Sequence, residues 1–140
     1  MRLALVSLVL LACVAPAYAQ SGPCTESAVK DGTLPASDDV FAYMPAFGKP
    51  TIGRQATQQA NKENFSARTN ITRAWGGDHR IVAAPSGEMA YEYGTMHMGY
   101  DENGKHEEFD AVMLTVFKAS KGVCQTVAFT MQPLEEQPKQ

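Results

Sequence analysis

The chain has 140 residues, 15 of them Asp or Glu and 12 Lys or Arg, for a formal charge of −3, and 44% are hydrophobic. That length builds one domain and is too short for two with separate cores. A mildly acidic chain with no basic cluster lacks the grouped Lys and Arg that grip phosphates, so nucleic acid is set aside as a partner.

Arg2, the apolar run Leu3–Val14 and the small-residue pattern Ala17-Tyr18-Ala19 have the layout of an export signal cut before Gln20. A membrane span needs about 20 apolar residues, and this run is shorter, interrupted by Ser7 and closed by Pro16. Removing residues 1–19 from 140 leaves 121, and losing Arg2 takes the charge from −3 to −4. A secreted or periplasmic location follows. Leu10-Leu11-Ala12-Cys13 offers the alternative of a bacterial lipoprotein box, with lipid on Cys13. Only Cys24 and Cys124 lie beyond the leader. Thiols oxidise outside the cytoplasm, so a bridge between them is expected, the other reading being two unrelated buried thiols. Their spacing matches neither a CxxC redox site nor a zinc site.

Residues 20–38 are rich in Gly, Pro, Ser and Asp, with at most two helical turns around Glu26–Lys30. The main domain is expected over residues 39–132, beginning with a short strand at Asp39–Pro45 and a loop at Pro45–Pro50. A helix follows from Ile52 to about Phe65, with Ala56, Ala60 and Phe65 as a thin apolar stripe. Beyond Trp75 come a strand at Arg80–Ala84, a turn at Pro85-Ser86-Gly87 and an extended run from Glu88 to Tyr100. Asn103-Gly104 is a strong hairpin signal. The return strand is Lys105–Lys118, Lys121-Gly122 turns again, Val123–Met131 is the last strand, and residues 133–140 form a flexible tail.

Side chains alternate along a strand, so the hairpin assigns faces by parity. A two-residue turn opposes Glu102 to Lys105, His97 to Asp110, Thr95 to Val112 and Tyr93 to Leu114; a four-residue turn shifts the partners and keeps the faces, which only an odd loop or a bulge would reverse. One face carries Ala90, Gly94, Met96, Met98, Phe109, Ala111, Met113 and Phe117, almost wholly apolar. The other carries Tyr91, Tyr93, Thr95, His97, Glu108, Asp110, Val112 and Leu114, apolar at one end and polar at the other.

Several residues in order resemble a known family: a short strand ending at Met44-Pro45, Gly53-Arg54 opening a helix, Trp75, Ser86-Gly87-Glu88-Met89-Ala90-Tyr91-Glu92-Tyr93-Gly94, then Thr115-Val116-Phe117-Lys118 and a Gly turn. The arrangement is similar to the SnoaL-like branch of the nuclear transport factor 2-like superfamily, over Asp39 to Met131. The resemblance implies an α+β fold, a cone-shaped, curved, mostly antiparallel sheet packed on helices around an apolar pocket, and often a homodimer through the sheet. Two features depart from the pattern. Only residues 20–38 precede the first strand, where members usually have a longer helical segment that closes the cone. The last strand carries Cys124 and Phe129 where members often have Trp and then Asp, so no acidic role is carried over. The fold hosts isomerases, cyclases, dehydratases and proteins without known activity, so it does not fix function.

His97 and Asp110, with Tyr93, form the candidate catalytic group, because an imidazole oriented by a carboxylate moves protons near neutral pH and a phenol can donate to a developing enolate oxygen. A cross-strand surface pair is the plain alternative. Tyr91, Trp75 and Leu114 are candidate ligand-binding residues, Trp75 as a plug at the cone's end or rim. Met96-His97-Met98 suits copper by ligand type, but alternation puts the Met pair and the His on opposite faces, and His79 and His106 have no partner at ligand spacing, so no metal and no cofactor are expected. Arg54 carries positive charge where a helix N-terminus disfavours it, which calls for an acidic partner or an anionic ligand. Asn64-Phe65-Ser66 and Asn70-Ile71-Thr72 fit the glycosylation sequon, relevant only in a eukaryotic cell. The expected function is binding of a small apolar ligand, the alternative being an isomerase, cyclase or dehydratase acting by acid–base chemistry. A third reading is a pure assembly module.

Overall fold

The computed structural model describes residues 22–45 and 48–134. The export signal, Cys13 and residues 135–140 of the tail lie outside them. The elements are α1 (Glu26–Lys30), β1 (Ala36–Tyr43), β2 (Thr51–Ile52), α2 (Arg54–Phe65), β3 (Thr69–Trp75), β4 (Arg80–Ala83), β5 (Met89–Glu102), β6 (Lys105–Ser120) and β7 (Val123–Pro133). They form one seven-stranded sheet in the order β2-β1-β7-β6-β5-β3, with β4 also paired to β5. Every pairing is antiparallel except β1 with β7, which is parallel.

The long β5–β6 hairpin organises the sheet. Asn103 and Gly104 both take positive φ, 52° and 75°, the geometry of a two-residue turn whose twist matches that of the strands. It fixes the register as Glu102 to Lys105, His97 to Asp110, Thr95 to Val112 and Tyr93 to Leu114. All eight residues assigned to the apolar face are buried or half-buried. That face, here the inner one, receives both helices.

Two clusters divide it. Cys24, Val29, Ala90, Phe117 and Cys124 form one, with α1 laid over β4 and β5. Thr25 caps this short helix, its Oγ1 accepting from the Ala28 N–H at 3.1 Å. Cys24 and Cys124 are bridged, tying α1 to β7 across 100 residues. Met96, Met98, Ala111 and Met131 form the second cluster, joined by Met44, Trp75, Phe109, Met113 and Phe129.

Three elements differ from the sequence reading. Ile52 does not open the helix; Thr51 and Ile52 pair with Ala42 and Phe41 as a short edge strand, and α2 starts at Arg54. Ala56 is exposed, and the half-buried line of α2 is Thr57, Ala60 and Asn64–Phe65, so the helix covers the sheet loosely. Strand β3 was not anticipated: it pairs with the second half of β5, from Met96 to Asp101, while β4 pairs with the first half. The β5 edge changes partner near Thr95. There Gly76 N–H donates to the Thr95 carbonyl at 2.8 Å, and the Asp78 carboxylate accepts from the Thr95 N–H at 3.0 Å and its hydroxyl at 2.8 Å. Those bonds hold the Asp78 pKa below the usual 3.8.

Candidate functional site

Between the sheet's inner face and α2 lies a cavity of about 200 Å³. Met44, Met96, Met98, Met113 and Met131 line it, with Phe65 and Phe129. Five of the chain's seven methionines therefore meet in one place. Unbranched thioether chains adapt to irregular shapes and contact aromatic rings favourably, so this lining suits a flexible apolar site. Two polar residues complete the wall, Asn61 on α2 and Arg73 on β3. Arg73 faces inward because it pairs with Met98, and cross-strand partners share a face. Its guanidinium carbon lies 5.9 Å from the centre of the Phe65 ring. Arg68 approaches the same ring at 5.5 Å, lies 4.2 Å from Tyr100, and binds Glu102 at 3.3 Å.

A second group on the inner face was not read from the sequence. His79 Nε2 lies 2.8 Å from Glu92 Oε1, and the imidazole stacks on Trp75 at 4.2 Å between ring centres. The pair is sheltered, with side chains 25% and 15% exposed. Gly94 makes it fit: a Cβ there would stand 2.8 Å from the His79 Cα. Glu92 also lines a separate space of about 180 Å³ with Thr115, Phe117 and Leu34. Trp75, expected at the cone's rim, is half-buried against the methionine cluster and this histidine.

His97 and Asp110 are brought together as the register required, Nδ1 against Oδ1. They stand on the outer face with side chains 56% and 48% exposed. Beside them is a groove of about 350 Å³ reached by Thr72, Gly99 and Glu108. Tyr93 shares this face but sits four residues along β5, roughly 13 Å away at the strand rise. Tyr91 stacks on Tyr93 at 5.9 Å, and with Leu114 both are exposed on the outer face. None of these three lines the methionine cavity.

The outer face has its own order. Ile52, Phe41, Ala128, Val116, Tyr91 and Val82 are successive cross-strand partners, an unbroken apolar row from β2 to β4. Tyr43, Thr130, Leu114 and Tyr93 form the next row. Polarity then rises toward His97, Asp110 and Glu108.

The expectations for Arg54 and for the Met96–His97–Met98 run resolve simply. Arg54 pairs with Asp38 Oδ1 of β1 at 3.0 Å, the acidic partner its position demanded. Met96 and Met98 face inward and His97 outward. Among the described residues no helix is long and apolar enough to cross a membrane, and no group of three His, Cys, Asp or Glu stands at metal-binding spacing.

No protein-family model matches the chain, and no curated protein matches it. Solved structures do. An association domain of a putative calcium/calmodulin-dependent protein kinase II from Xanthomonas campestris superposes with TM-score 0.63 at 14% identity, over 86% of this chain and 80% of that one. A ketosteroid isomerase-like protein from Erwinia carotovora gives 0.60 at 12% identity, over 72% and 77%. A nuclear transport factor 2-like protein of unknown function from Prochlorococcus marinus gives 0.57 at 13% identity, over 74% and 77%. Identities this low carry the fold alone: it is the nuclear transport factor 2-like α+β cone.

Proposed function

We propose that this nuclear transport factor 2-like domain is an exported binding module for a small apolar molecule held between α2 and the sheet. The observation that supports it is the convergence of five methionines and two phenylalanines on one cavity. A largely apolar concave site with a few polar groups is the usual form of a small-molecule pocket. Export is supported by the leader in the sequence and the Cys24–Cys124 bridge, since disulfides persist where thiols are oxidised. Methionine-methyl NMR during titration with toluene tests the reading. The signals of Met44, Met96, Met98, Met113 and Met131 are expected to shift together, with Met89, exposed at the edge of β5, unmoved. Met113→Trp, which fills the cavity, is expected to abolish the shifts. Undisturbed cavity methionines in the unaltered protein would sink the proposal.

A second reading, an isomerase, cyclase or dehydratase, draws support from the His97–Asp110 contact, which orients an imidazole beside an open groove. Tyr93 would serve it only by reaching along the face. Turnover of a carbonyl-compound panel that survives His97→Ala removes this reading.

We also infer a homodimer through the outer face, supported by the apolar row from Ile52 to Val82.

A further inference from the structure

The cavity's wall is not uniformly greasy. Arg73 reaches it with its stem beside Met98 and its guanidinium over the edge occupied by Phe65. Among the described residues the exposed Arg73 side chain makes no ion pair and no hydrogen bond, its one contact of this kind being the Phe65 ring. Asn61, across the mouth on α2, likewise has no hydrogen-bond partner among the described residues. Nearby, Arg68 is paired with Glu102, and Asp101 with Asn70 and His106. Exposed at the mouth, the Arg73 guanidinium presents a planar fork of donors that fits a carboxylate in bidentate fashion, and an amide NH₂ opposite it adds a further donor.

Size and lining narrow the rest of the molecule. An apolar cavity of about 150 Å³ accepts benzene, so about 200 Å³ holds roughly a ring with one or two further carbons. Thioethers favour aromatic partners over aliphatic ones. We propose that the ligand is a small aromatic carboxylate, its ring among the methionines and its carboxylate on Arg73 and Asn61. This rests on the cavity being the binding site, and the test separates the two.

Phenylacetate and 2-phenylethanol have the same eight-carbon skeleton and differ in the carboxylate. Isothermal titration at neutral pH with each is expected to show phenylacetate binding at least ~10-fold more tightly, the scale of a charge-assisted pair that is partly open to water. Arg73→Gln is expected to erase that advantage, with the circular dichroism of the unaltered protein retained. Arg73→Lys is expected to restore part of the advantage. Equal affinity for the two compounds, or an advantage that survives Arg73→Gln, overturns the carboxylate and leaves the apolar site standing. Binding of neither compound overturns both.

Discussion

His106 stands at the tip of the β5–β6 hairpin between two carboxylates, Nδ1 at 2.6 Å from Asp101 and Nε2 at 3.2 Å from Glu108. Asp101 is held in turn by the Asn70 amide at 2.6 Å. The hydrogen bond to Asp101, then that to Glu108, raises the His106 pKa above its ordinary 6.5. Asn70 first and His106 second lower that of Asp101 below 3.8. A raised histidine contributes fully below 6.5, and its contribution is lost as pH climbs through the folded value; a lowered carboxylate contributes above 3.8 and is lost as pH falls through its folded value. The hairpin tip is therefore tightest between these limits, roughly pH 4 to 6.5. NMR titration is expected to place the His106 midpoint above 6.5, and Asp101→Asn to bring it back toward that value. A midpoint at or below 6.5 in the unaltered protein counts against the contact.

At the scale of elements, the Cys24–Cys124 bridge holds α1, a helix of five residues, which has one buried side chain, Val29, to keep it in place. Replacing both cysteines with serine is expected to cost about 2–5 kcal/mol, read from denaturant unfolding, with the Val29 amide losing exchange protection first. Equal stability of the two forms would show that α1 docks without its tether. The hairpin faces were legible because a two-residue and a four-residue turn at Asn103-Gly104 give the same faces. Strand β3 was not, because Thr69–Trp75 is an edge with every residue exposed or half-exposed and a charged Arg73 on its inner side. With β3 unread, the cation at the cavity wall was invisible. The opposition of His97 and Asp110 followed from register alone, yet register cannot say which face the helices cover. His79 and Glu92 meet because β5 changes partners beside Gly94, a contact between residues 13 apart that no periodicity encodes.

At the scale of the whole molecule, the outer face carries much of the exposed apolar surface. Phe41, Ile52, Val82, Tyr91, Tyr93, Val112 and Leu114 are all exposed on or beside it, and contiguous apolar surface of this kind marks association sites. A two-fold dimer would cover it, needing about 800 Å² from each copy. Sedimentation is expected to show a dimer at micromolar concentration, and Tyr93→Glu with Leu114→Glu a monomer with unchanged circular dichroism. A monomer in the unaltered protein would end the proposal. The polar end at His97 and Asp110 then falls at the rim, where charges set orientation more than strength.

The parallel seam between β1 and β7 governs the order of assembly. Strand β1 reaches the sheet only through β7, the last strand of the chain, while β5, β6 and β7 are successive hairpin neighbours. Contacts close in sequence form at small entropic cost and distant ones later. The C-terminal meander is therefore expected to gather first, and β1 to dock once β7 has arrived. The strand that comes first in the chain is thus expected to be the last to enter the sheet.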